Sequence, residues 1–218
     1  MTLGPWYLSP THFDRKELGE NEQFLLLLTF ARALNAVRFF HLAYLAVDRN
    51  DDKPSAKRQR VNAFFFMCGA LKETLSVVDR LRRLFRDRQS FETELGEILR
   101  SSRFRRLRDK VLPRIRHKFA FHFDVDVARE TLATIELPEY RFAEGFGKAA
   151  GDVYYTLADE LAINYLLAGL DDFGSSEEER LRTVLHDVVD LSTSLARAGE
   201  RLIGDFLKEA GWQMKQGG

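Results

Sequence analysis

Two long stretches carry apolar residues at alternating steps of three and four, and this spacing constrains the chain more than any other feature. In residues 55–86 the series is Val61, Phe64, Phe65, Cys68, Leu71, Leu75, Val78, Leu81 and Phe85, with Arg60, Lys72, Asp79 and Arg83 largely off it. In residues 176–209 it is Leu181, Leu185, Val188, Leu191, Leu195, Ala198, Leu202 and Phe206. Such steps place side chains on one face of an α-helix. At about 1.5 Å per residue the first helix is roughly 48 Å long, enough to organise a bundle. The expected fold is all-α: a helical bundle of two or three long amphipathic helices plus several shorter ones. Phe65, Cys68, Leu71, Leu75, Val188, Leu191 and Leu195 are its expected core.

Local signals divide the rest of the chain. Residues 18–47 read as another long helix, broken by the polar RNDDKP segment that ends in Pro54. Ser90 is placed to cap a helix over 91–100, and residues 101–109 read as a basic connector. Pro113 fits the first turn of a helix running to Phe123. Asp124 or Asp126 then caps a short helix ending near Ile135, and LPEYRFAEGFG is turn-like or briefly extended. A helix over 154–167 is closed by Gly169. Ser175 and Ser176 each stand three residues before a glutamate, Glu178 and Glu179, as in a capping box. No linker divides the chain. The expected organisation is an N-terminal loop segment (1–17), one helical domain (18–210) and a flexible tail (211–218).

Composition removes several classes of protein. With 45% apolar and 30% charged residues in 218, the chain is not wholly disordered. The single cysteine, Cys68, forms neither an internal disulfide nor a zinc–thiolate cluster, which fits a reducing, cytoplasmic setting. The densest apolar run, Phe24 to Ala31, is followed by Arg32 and Arg38, and a span needs about twenty predominantly apolar residues. No membrane association is therefore expected. Phosphate-loop, dinucleotide, HExxH and GxSxG motifs are missing, and neither long amphipathic helix carries the Glu-x-x-His of di-metal bundles. No cofactor and no metal site is expected. His12, His41 and His186 read as surface or partly buried histidines without a special role.

The net charge of zero conceals an asymmetry. Residues 80–118 carry fourteen basic against five acidic residues, and residues 119–218 nine basic against nineteen acidic. One reading gives the basic strip, with Arg103, Arg105, Arg106, Arg108 and Arg114, to RNA. The other packs it beside the acidic half, within the molecule or across a dimer.

The segment LPRIRHKFAFHFDVD, residues 112–126, adds chemistry to that charge. Arg116 and His122 are separated by five residues, with Phe119, Phe121 and Phe123 around them. A histidine can act as acid or base near neutral pH, and a guanidinium can clamp phosphate oxygens. This segment resembles the Arg-x(4–6)-His signature of the HEPN superfamily, over a region of roughly residues 18–135. The resemblance implies a metal-independent endoribonuclease of toxin or phage-defence type, acting as a homodimer on RNA, with an antitoxin or other protein partner. It makes His122 the general acid/base and Arg116 the phosphate clamp, assisted by His117, Lys118, Asp124 or Glu73. On a straight helix the two side chains stand about 120° apart around the axis and roughly 9 Å apart along it. Convergence then needs the reach of Arg116, a local break, or a second copy. Arg180 and His186 repeat the same spacing on the last helix. The alternatives are a non-catalytic helical interaction module, an RNA binder that cuts nothing, and a structural role in which Arg116 pairs with a carboxylate such as Asp124.

Overall fold

The computed structural model describes residues 19–47, 53–116, 125–134, 143 and 155–209. Helix α1 is Glu22–Ala46 and α2 is Pro54–Phe85. Helix α3 runs through Gln89–Phe91, a π-type stretch at Glu92–Gly96, and Glu97–Arg100. Helix α4 runs through Ser102–Arg106, a second π-type stretch at Leu107–Val111, and Leu112–Ile115. Then come α5 (Val125–Leu132), α6 (Thr156–Leu167), a 3₁₀ turn at Asp171–Phe173, and α7 (Glu177–Glu209). The fold is all-α, and among the described residues there is no β-strand.

Local chemistry sets these boundaries. The Asn21 side chain accepts a hydrogen bond from the Phe24 amide at 3.0 Å and starts α1. Pro54 occupies the first turn of α2, where its missing N–H costs nothing. At the start of α7 the capping differs from two parallel boxes. The Glu179 amide donates to Ser176 Oγ at 3.2 Å, while the Glu179 carboxylate accepts from the Ser175 amide at 2.8 Å. Glu178 turns instead to Arg182, one helical turn along. Helix α3 starts at Gln89, behind Arg88, rather than after Ser90. Gly169 (φ +77°) closes the chain path out of α6 in the left-handed region that glycine tolerates.

Residues 101–109 are not a connector. Ser101 caps α4 and leads into continuous helix through Ile115, because Leu107, Val111, Leu112 and Ile115 are all fully buried there. The helix expected from Pro113 is thus the end of a longer one. Residues 117–123 of that expected helix, the cap candidate Asp124 and the segment 135–142 lie outside the described residues, as do residues 1–18 and 210–218.

The core forms where α1, α2 and α7 meet, with α3 and α4 packed along their sides. Phe65, Cys68, Leu71, Leu75, Val188, Leu191 and Leu195 are all buried, so the three-and-four spacing identified the inward faces. Gly199 on α7 allows α1 to come close: a Cβ there would strike Leu34 and sit 3.0 Å from the Phe30 ring. Phe30 is itself completely buried. Phe30→Ala should therefore lower the free energy of unfolding by about 3–5 kcal/mol, the usual cost of an aromatic-sized cavity. Urea titration of the two proteins checks this.

Candidate functional site

The five arginines singled out in the basic strip lie on α4, and Arg103, Arg106 and Arg114 find their partners in the acidic half of the chain. Arg103 donates to Asp187 and, at 2.7 Å, to Asp190, and its Nη2 lies 2.8 Å from His186 Nδ1. Asp187 is buried, and Arg106 stands 3.7 Å from its second oxygen. Arg106 also donates to the Asp172 carbonyl at 2.6 Å and lies 4.1 Å over the Phe173 ring. Lys110 pairs with the Asp172 carboxylate. Arg114 donates to the carbonyls of Tyr165 and Ala168, so a cation from α4 satisfies the open C-terminal end of α6. Arg108 pairs with its neighbour Asp109 at 2.9 Å. The Arg105 side chain is exposed and makes no ion pair or hydrogen bond among the described residues.

Burial alone would lower the Arg103 pKa, but hydrogen bonds to Asp187 and Asp190 more than reverse this and keep the guanidinium charged. The Asp172 carboxyl is held below its ordinary value of 3.8, chiefly by the hydrogen bond from Lys110. A depressed carboxyl contributes stability above its ordinary pKa and loses it as pH falls through the lowered value.

Arg116 sits at the end of α4 and is clasped by Glu73 of α2, Nε to Oε1 at 2.8 Å. The structure thus joins two residues of the predicted site that are 43 positions apart. His122, His117, Lys118 and Asp124 lie outside the described residues. In the second Arg-x5-His pair, Arg180 is held by Asp171 and His186 by Arg103.

Three features went unread in the sequence. Ser192 Oγ lies 2.6 Å from His41 Nδ1, a hydroxyl–imidazole pair of the kind that activates a nucleophile. Ser192 is completely buried, however, so this pair joins α7 to α1 and meets no substrate. Burial also lowers the His41 pKa, which keeps the ring neutral at neutral pH. The second feature is a cleft of about 670 Å³ bounded by α2, α6 and α7, with Tyr44 of α1 at its side. Phe64, Phe65, Leu166 and Leu185 line its apolar wall, with Lys57, Arg60, Glu160 and Arg182 among its charged groups. Its lining comes from segments too far apart in sequence to form a motif.

The third is the outer side of α1. Helices α1 and α2 are both long and apolar enough to cross a membrane by length and composition. The apolar window of α2 is 61% buried inside the bundle, that of α1 only 28%. The densest apolar run of α1, Phe24 to Ala31, covers only part of the helix, whose apolar residues continue on both of its sides as far as Leu45.

No family model, curated protein or solved structure matches the chain.

Two outcomes test the charge network. Arg103→Ala should destabilise the fold by about 1.5–3 kcal/mol, the worth of hydrogen bonds to charged groups, because Asp187 stays buried with one distant cation. Arg105→Ala should stay within about 0.5 kcal/mol of the parent. Separately, the melting temperature should fall as pH drops below the ordinary carboxylate range, and Asp172→Asn should flatten that fall.

Proposed function

We propose that the chain is a non-catalytic helical interaction module whose docking surface is the outer side of α1. The observation that carries this reading is that Leu25, Leu28, Phe39, Leu42 and Leu45 are exposed on a helix whose other side builds the core. Single exposed apolar residues are ordinary, whereas a line of large ones marks a surface meant to be covered. The charge network supports the same reading. Binding nucleic acid requires cations that face phosphate. Arg103, Arg106 and Arg114 are instead engaged with carboxylates and carbonyls of the chain's own acidic half.

A second reading, a HEPN-like endoribonuclease, is favoured by the Arg116–Glu73 pair. It holds the guanidinium at the end of α4, six positions before His122. A clamp for phosphate gains from being oriented in advance. In that reading His122 supplies the acid/base function and a second copy completes the cleft.

One experiment separates the two. Mixed RNA is incubated with the parent and with His122→Ala, each with and without EDTA. The interaction-module reading expects uncut RNA in every arm. Cleavage by the parent that survives EDTA and disappears in His122→Ala would overturn it in favour of the nuclease.

A further inference from the structure

The outer side of α1 carries a pattern more specific than apolarity. Leu25, Leu28, Arg32, Asn35, Phe39 and Leu42 follow one another at steps of three, four, three, four and three, and all six are exposed. This is the seam spacing of a two-stranded coiled coil. Leu28 is 52% exposed, Phe39 66% and Leu42 67%. On the opposite side Leu26, Leu27, Phe30, Leu34 and Val37 are buried in the bundle, so the seam is presented on a helix already fixed in place. Neither the Arg32 nor the Asn35 side chain makes a hydrogen bond or ion pair among the described residues.

We infer that a second copy of this chain covers the seam, its α1 running antiparallel, with Leu25 against Leu42, Leu28 against Phe39 and Arg32 against Asn35 in each half. This rests on the interaction-module reading and supplies the partner. The order of chemistry along the seam is the argument: two apolar positions, two polar ones, two apolar ones. Any three-and-four spacing reads the same in both directions, but this order of residue types also survives reversal. An isologous twofold contact requires that property, because each residue must suit its counterpart from the other end.

The polar centre then chooses the orientation. In an antiparallel pair the Arg32 guanidinium can donate to the Asn35 side-chain carbonyl of the other copy, twice about the axis. In a parallel, in-register pair Arg32 would face Arg32, like charge against like. The same centre argues against a lipid surface, which would place Arg32 and Asn35 amid hydrocarbon without a partner. At 25 residues α1 is about 37 Å long and spans more than three heptads. Because α1 is already held by the core, little ordering is lost on association.

The test uses the full chain. Light scattering of the parent should show a mass that rises from monomer to dimer with concentration. Leu28→Glu combined with Phe39→Glu should weaken the dimer at least about a hundredfold, since four carboxylates would then meet at the seam. Circular dichroism should show helicity unchanged, because both positions are exposed. Thiol cross-linking reads the orientation. Leu28→Cys and Phe39→Cys in one chain are about 16 Å apart along α1, too far to bridge within it. The double variant should therefore form a covalent dimer under mild oxidation, while each single variant should not. The native Cys68 is fully buried and does not compete.

Ready cross-linking of either single variant would mean a parallel pair and overturn the register. A dimer whose mass is untouched by the double glutamate variant would place the contact on another face. A monomer at all concentrations would overturn the second copy. In that case, protein floating with phosphatidylcholine vesicles would assign the seam to lipid, and introduced thiols closed to a maleimide would assign it to the chain's own remaining residues. Each of these outcomes is read independently of the RNA assay.

Discussion

The placement of α4 on α7 depends on one buried carboxylate. Asp187 sits on the inward side of α7, where an ionised group is expensive unless a cation accompanies it. Arg103 and Arg106 supply that cation from α4, and this fixes how far α4 slides along α7. The other contacts of the strip follow from the position so fixed. Lys110 arrives at Asp172, Arg106 over Phe173, and Arg114 at the open end of α6. Exposed ion pairs of this kind are individually worth little. The buried pair sets the register, and the exposed ones keep two oppositely charged segments from repelling themselves.

The core was legible because α2 and α7 are amphipathic in the plainest sense. Cys68, Leu71, Val188 and Leu191 lie on one face, and no other arrangement hides them. Helix α4 was not legible as a helix over 101–109. Five arginines between Arg100 and Arg108 dominate that stretch, and a composition so basic reads as solvated. The carboxylates that Arg103 and Arg106 meet lie more than eighty positions further on, so nothing local shows that those two charges are satisfied. Helix α1 posed the opposite difficulty. Its apolar residues lie all round, so sequence shows that it is helical without showing which half faces inward.

The candidate site was legible in part for the same reason. Arg116 and Glu73 were both candidates, but nothing in their spacing, 43 positions apart, shows that Glu73 on α2 holds the guanidinium. The fold brings α2 and the end of α4 together through Ile115 and Leu112, both fully buried, immediately before Arg116. A long-range pair set by packing leaves no spacing rule to read. The Ser192–His41 pair and the cleft beside Phe64 share that property, since each gathers residues from helices distant in the chain.

These features together determine where the molecule has free energy left to gain from a partner. Part of its charge is already engaged: Arg103, Arg106 and Lys110 of the basic strip meet Asp187, Asp190 and Asp172 of the acidic half inside the fold. A partner that approached these α4 cations by electrostatics would have to compete with contacts already made. Apolar surface is different. Every large side chain left outside the core retains the driving force for burial, roughly 1.5–3 kcal/mol when it is fully covered. That surface is concentrated along α1 because α2 and α7 consume only the opposite half of it. The polar pair at its centre then turns non-specific stickiness into a defined contact. Arg32 and Asn35 penalise any cover that cannot hydrogen-bond them and reward one that can. The same internal charge pairing that argues against an electrostatic nucleic-acid surface therefore leaves the outer side of α1 as the place where specificity can be built.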